Sequence, residues 1–171
     1  MKEIKLTQGK VTMVNDEDFE YLNQWKWCAT KKSNSYYATT RSKKTLKFKD
    51  KNMILIHQII LERMLGHKNF EMVDHIDGDG LNNQRSNLRP ATYQENNMNR
   101  LKGENKSSVY KGVYKHSKCS GYISQIILNR YNIYLGYFNT EEEAAEAYNK
   151  KAIELFGEYA KLNKFGNIKL I

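Results

Sequence analysis

The run from Asp74 to Arg100 packs two Gly, a Pro and six Asn among Asp, His, Gln and Arg, which rules out one long helix or one long strand there. Short apolar stretches survive between the breakers. Val73–Ile76 and Asn87–Arg89 read as short strands, and Thr92–Arg100 reads as a helix. Asp77, Gly78, Asp79 and Gly80 read as turn residues, with Asn82 and Asn83 bracing the loop. Two strands and a helix in this order can bring side chains from three segments to one point. Those side chains are acid, imidazole and amide.

The chemistry that such a cluster suits is phosphodiester hydrolysis. It needs a water deprotonated near neutral pH and a cation at the leaving oxygen. His75 supplies a base, and Asp74 beside it supplies a carboxylate on the opposite face of the strand. A carboxylate with an amide oxygen from the following helix suits a hard divalent ion, Mg²⁺ or Mn²⁺, with Asp74 and Asn96 as the ligand pair. An imidazole base needs its tautomer fixed by a partner at the distal nitrogen, and Asn87 on the second strand is the expected one. A calcium loop would want further carboxylates and a closing Glu, which residues 84–89 lack. His57 rivals His75, but it sits among apolar residues with no adjacent carboxylate and reads as structural.

These residues resemble the HNH endonucleases of the ββα-metal class, in particular the homing type with Asp-His-Ile-Asp-Gly and Asn-Leu-Arg signatures. The resemblance implies His75 as general base, Asn87 as its orienting or loop-bracing amide, and Asp74 as metal ligand. The position usually held by His is Asn96 here, which implies one oxygen-liganded metal. Arg85 and Arg89 are candidates for phosphate contact.

Charge agrees with a polyanionic partner. The formal net charge of the 171 residues is +9. Residues 1–70 carry 14 Lys/Arg and 7 Asp/Glu, residues 71–100 carry 3 and 5, and residues 101–171 carry 11 and 7. An acidic patch thus lies between basic flanks, and double-stranded DNA is the expected partner, with no obligate protein partner evident. Cys28 and Cys119 form no Cys-x-x-Cys pair and read as reduced thiols. No secretory core or 18-residue apolar run occurs, so a cytoplasmic protein without membrane association is expected.

The first seventy residues read as a β-rich extension. Ile4–Leu6 and Lys10–Val14 flank Thr7-Gln8-Gly9 as a hairpin, and Asn15 reads as the cap of a short acidic helix through Leu22. Trp25 and Trp27 share a face of the next strand and read as core. Residues 25–51 carry nine Lys/Arg and one acid among Tyr36, Tyr37 and Phe48, a candidate phosphate-tracking ribbon. Ile54–Leu65 reads as a helix.

The C-terminal third reads as a separate module. Residues 101–106 lie in a polar linker between a domain of residues 1–100 and one of residues 107–165. Val109–Tyr114, Tyr122–Leu128 and Tyr131–Phe138 read as strands. Thr140 to Glu143 reads as a capping box opening a helix with an Ala144, Ala145, Tyr148, Ala152, Leu155, Phe156 stripe. Residues 107–138 hold four Lys/Arg and no acid, whereas 139–158 hold six Glu and two Lys. That polarity points the strands to DNA.

Tyr110-Lys-Gly-Val113, Tyr134-Leu-Gly-Tyr-Phe-Asn-Thr140, Glu143-Ala-Ala-Glu-Ala-Tyr148, Phe156-Gly157 and Leu162-Asn163 resemble the plant ethylene-response-type (APETALA) DNA-binding domain over Ser107–Asn163. The resemblance implies a three-stranded sheet in the major groove, with Lys111, Tyr114, Gln125, Ile127, Asn132 and Tyr134 facing it and Lys115 alongside. Several of these are Arg or Trp in the plant proteins, so base preference is expected to differ. The expected class is α+β: a ββα-metal nuclease core with a β-rich N-terminal extension, then a three-stranded antiparallel sheet packed on one helix. The expected function is a metal-dependent, nicking DNA endonuclease. The alternatives are an inactive DNA-binding regulator and an RNA-directed enzyme or binder.

Overall fold

The computed structural model describes residues 1–32, 35–41, 53–100 and 107–165. The expected linker at 101–106 and much of the basic ribbon, Phe48 included, lie outside the described residues. The fold mixes short helices with several small antiparallel sheets. It divides into two compact units, Met1–Asn96 and Asn97–Ile171.

In the first unit β1 (Lys2–Lys5) and β2 (Val11–Val14) form the expected hairpin, paired Lys2 to Val14 and Lys5 to Val11. Helix α1 (Asp16–Leu22) follows directly. Asn15 sits at its start, yet its side chain makes no cap to the helix and accepts from the Arg85 N–H at 2.8 Å. Strand β3 (Cys28–Lys32) pairs with β4 (Ser35–Thr40), which pairs with the short β5 (Ile54–Leu55). The two tryptophans thus precede the strand. Trp27 is core, 1% exposed, and its indole N–H donates to the Leu22 carbonyl at 2.8 Å.

Helix α2 (Ile56–Leu65) begins two residues later than the apolar pattern predicts, because Ile54 and Leu55 join the sheet. It buries Ile56, His57, Ile59, Ile60 and Leu61 against Ile4, Val14, Leu22, Trp27, Ala38, Val73 and Leu88. Each fully buried aliphatic side chain there contributes about 1.5–3 kcal/mol. Strands β6 (Met72–His75) and β7 (Leu88–Ala91) pair antiparallel with Asp74 opposite Arg89 and His75 opposite Leu88. Helix α3 (Tyr93–Met98) comes next, opened by Thr92 and Glu95 in reciprocal side-chain to backbone hydrogen bonds.

In the second unit β8 (Val113–Lys115), β9 (Tyr122–Leu128) and β10 (Tyr131–Phe138) form one antiparallel sheet in the order β10, β9, β8. The β9–β10 turn is two residues, Asn129 and Arg130, both at positive φ. Helix α4 (Glu141–Phe156) has the expected capping box at Thr140 and Glu143 and covers one face of the sheet with Ala144, Ala145, Tyr148, Ala152 and Phe156.

The first strand is shorter than the predicted Val109–Tyr114. Lys111 is held on both backbone groups by the Asn163 side chain, at 2.6 and 3.0 Å, and Gly112 turns the chain at φ +76°. A Cβ at Gly112 would lie 1.9 Å from the Tyr148 ring, so only glycine lets the strand pack on α4.

Candidate active site

His75 ends β6 and is 6% exposed. Its Nε2 lies 3.1 Å from Asn83 Oδ1. The surrounding network decides which atom carries the proton. Thr12 Oγ1 donates to the Leu81 carbonyl at 2.7 Å, so it accepts from Asn83 Nδ2 at 2.7 Å, and the Gly80 carbonyl also accepts from Nδ2 at 3.3 Å. With its amide hydrogens engaged there, Asn83 presents oxygen to the ring. His75 Nε2 therefore donates, and in the neutral ring Nδ1 is the basic nitrogen.

The loop bearing Asn83 is fixed to two strands. Met13 N–H donates to the Leu81 carbonyl and Asn83 N–H to the Met13 carbonyl, both at 2.9 Å. Gly80 N–H donates to Ser35 Oγ at 3.0 Å. A Cβ at Gly80 would stand 2.4 Å from the Tyr36 carbonyl oxygen and 2.6 Å from the Tyr37 ring, so this approach also demands glycine.

Asn87 does the bracing for the other half of the loop. Its Oδ1 accepts from the Asp77 N–H at 3.0 Å, and its Nδ2 donates to Asp77 Oδ1 at 2.9 Å and the Asn82 carbonyl at 2.8 Å. It closes a 3-10 turn at Arg85–Asn87 rather than opening the second strand. The expected role at the Nε2 end of the ring thus passes from Asn87 to Asn83. Burial works to raise the Asp77 carboxyl, but hydrogen bonds from Asp79 N–H, Asn82 and Asn87 outweigh it and hold it below the usual range.

Burial also pushes the His75 imidazole below its ordinary value, while the Asn83 hydrogen bond and the charges of Asp77, Asp74 and Asp79 oppose that shift. A neutral ring is what a base requires. His57 stands edge to face with it, ring centroids 4.9 Å apart, and Tyr37 meets both rings at 5.7 and 6.0 Å. Burial holds His57 well below its ordinary pKa, aided by the charges of His75 and Lys32, and its buried Nδ1 has no hydrogen-bond partner among the described residues. His57, expected to be structural among apolar residues, thus packs directly on His75.

Asp74, 2% exposed, points away from His75 as strand alternation requires. Arg89 across the pair donates from Nε at 2.9 Å and Nη2 at 2.8 Å to the single oxygen Oδ2. Arg89, expected on phosphate, therefore grips the carboxylate instead. Arg85 is likewise engaged internally. It donates to the fully buried Asp18 at 2.7 and 2.9 Å and pairs with Glu17, while Arg63 reaches the same Asp18 at 3.0 Å. An arginine committed to a buried acid leaves phosphate binding to other residues.

Asn96 lies on α3, half-buried. Among the described residues no three His, Cys, Asp or Glu side chains cluster to hold a metal. The expected pair, Asp74 and Asn96, would offer one carboxylate and one amide oxygen, a set that suits a hard divalent ion completed by water and phosphate, and not zinc.

In the second unit Lys111, expected at the groove, donates its ammonium to the Met98 carbonyl, and burial brings its pKa down to about 8. Its position is internal. Gln125, Asn132 and Tyr134 lie on the sheet face away from α4, Asn132 Nδ2 donating to Gln125 Oε1 at 2.6 Å. Tyr114 stands beside Ile123 on that face, and Lys115 is exposed at the strand end.

A strand with an adjacent acid and imidazole, a braced loop, a second strand and a helix make up the candidate site, and residues 55–98 match the HNH endonuclease family. The chain is also 46% identical over 92 residues to a protein of Acanthamoeba polyphaga mimivirus named as an uncharacterized HNH endonuclease, L560. That match covers 54% of this chain and 46% of the viral protein, so the chain spans about half the length of its relative. No helix among the described residues is long and apolar enough to cross a membrane.

Proposed function

We propose that the chain is a metal-dependent DNA endonuclease of the HNH homing type, with a ββα-metal core formed by β6, β7 and α3, hydrolysing one phosphodiester and so nicking duplex DNA. The observation that carries this reading is the proton arrangement at His75. With Nε2–H committed to Asn83, Nδ1 is the atom that takes the proton from the attacking water, and burial keeps the ring neutral beforehand. Asn87 keeps the loop in place.

Asp74 and Asn96 would hold one Mg²⁺ or Mn²⁺, which supplies positive charge at the leaving oxygen. Arg89 orients Asp74 by holding Oδ2. Residues 107–165 act as the DNA-positioning module, supported by a sheet segment that carries four cations and no acid. An intracellular setting belongs to the same proposal and is supported by Cys28 and Cys119 being free and exposed.

Supercoiled plasmid incubated with the full chain and Mg²⁺ or Mn²⁺ tests this. Conversion to the open circle that chelator abolishes and His75→Ala removes is the expected result. Cleavage that persists in His75→Ala overturns the assignment of the base. A chain that binds duplex DNA yet never cuts it with either metal is a DNA-binding regulator instead.

A further inference from the structure

We infer that Gln125 and Asn132 act as one unit that reads an A·T base pair in the DNA major groove. This rests on the proposal that the second unit positions duplex DNA, and it names what that module selects.

The β9–β10 hairpin is a two-stranded antiparallel ribbon closed by a two-residue turn, an element that the major groove, about 12 Å wide, admits. Alternation sets its outer face. Gln125 lies between the buried Ser124 and Ile126, and Ile127 between Ile126 and the inward Leu128, so Gln125 and Ile127 point away from α4. Tyr134 stands opposite Gln125 and Asn132 opposite Ile127. Ile127 and Tyr134 are 61% and 63% exposed.

The face itself is uncharged. The cations lie at its margins, Lys115 at a strand end and Arg130 in the turn at φ +70°, both exposed. An uncharged reading surface with cations beside it divides as DNA contacts divide, phosphate at the edge and bases at the centre.

The amide pair sets the choice of base. One amide hydrogen of Asn132 is committed to Gln125 Oε1, and these side chains make no other hydrogen bond among the described residues. The pair therefore turns a donor, Gln125 Nε2, and an acceptor, Asn132 Oδ1, to the outside. Reversing both amides exchanges the residues and still leaves one donor and one acceptor outward. Adenine offers the complement, an acceptor at N7 and a donor at N6, whereas guanine offers two acceptors at N7 and O6; a G·C pair matches the amides only across the pair, at guanine O6 and cytosine N4, and has no methyl group beside them. The thymine paired with that adenine carries its methyl group into the same groove, where Ile127 supplies apolar contact.

The test uses the full chain in chelator, so that binding is read without cleavage, and selects from a randomised duplex library. The expected result is a preferred A·T position at which 7-deaza-adenine, or exchange for G·C, weakens binding roughly five- to a hundredfold. Gln125→Ala and Asn132→Ala lose that discrimination. Gln125→Arg, which offers two donors, moves the preference at that position towards G·C.

Circular dichroism of each variant checks that the exposed substitution leaves the fold intact. A sequence ranking shared by wild type and all three variants overturns the amide-pair reading and leaves duplex binding standing. Single-stranded DNA or RNA competing as well as duplex overturns both this inference and the positioning role. Plasmid nicking with metal is scored separately, so it reports on the nuclease reading alone.

Discussion

The amide oxygen of Asn83 and the ring nitrogen Nε2 of His75, 3.1 Å apart, belong to a relay that starts at the hydroxyl of Thr12. One proton position on a buried imidazole is thereby set by a strand 63 residues earlier in the chain.

Replacing Asn83 by Leu is expected to lower kcat at least tenfold, with a smaller change in KM, because the ring loses the acceptor that fixes its tautomer. Stability should fall by about 1–3 kcal/mol as Thr12 and the Gly80 carbonyl lose their donor. Steady-state nicking kinetics and urea denaturation measure the two effects. An unchanged kcat at unchanged KM would remove Asn83 from the mechanism.

His57 links stability to pH. Its folded pKa is depressed, so its contribution is complete above the unfolded value of about 6.5 and is lost as pH falls from there through the folded pKa. Melting temperature is expected to decline below about pH 6.5. His57→Phe should flatten that decline, and should cost little at pH 8, since it removes a buried nitrogen that lacks a partner among the described residues. A wild-type profile flat between pH 7 and 5 contradicts this account.

Asp18 governs a lower window. Arg85 and Arg63 overcome the effect of burial and hold its carboxyl below the ordinary value. Its contribution is present above the unfolded pKa near 3.9 and disappears as pH falls through the lower folded value. Asp18→Ala at neutral pH is expected to cost about 3 kcal/mol, at the low end for a broken buried pair because both arginines are partly solvated. Denaturation at pH 7 and pH 3 should show the gap between variant and wild type shrinking in acid.

Gly80→Ala places a methyl group against the Tyr36 carbonyl and the Tyr37 ring. The loop must move to accept it. A loss of about 1–3 kcal/mol is expected, together with reduced nicking, because Asn83 rides on the same loop. Retained stability and activity would show that the loop tolerates displacement.

Local patterns were legible where one short-range rule decides the outcome. The capping box at Thr140, the Ala144 to Phe156 stripe and the β9–β10 hairpin bounded at Leu128 and Tyr131 needed only helical period and strand alternation. The β1–β2 hairpin and α1 were equally local. What escaped was decided by partners far away in the chain. Arg85 resembles a phosphate ligand until Asp18, 67 residues earlier, folds beside it, and Arg89 until Asp74 stands across the strand pair.

Asn82, Asn83 and Asn87 are chemically alike. Their spacing could not say which would face His75, since the difference is made by Thr12 and the strand that carries it. His57 looked isolated because its neighbour His75 sits on another element.

The family match begins at residue 55, yet Thr12, Met13, Ser35 and Asp18 all hold parts of the loop and turn that it contains. A fragment cut at that boundary would keep every residue of the signature and lose the scaffold that tells the imidazole which nitrogen carries the proton. The motif is therefore not an autonomous module, and its reach into the chain is wider than its spelling.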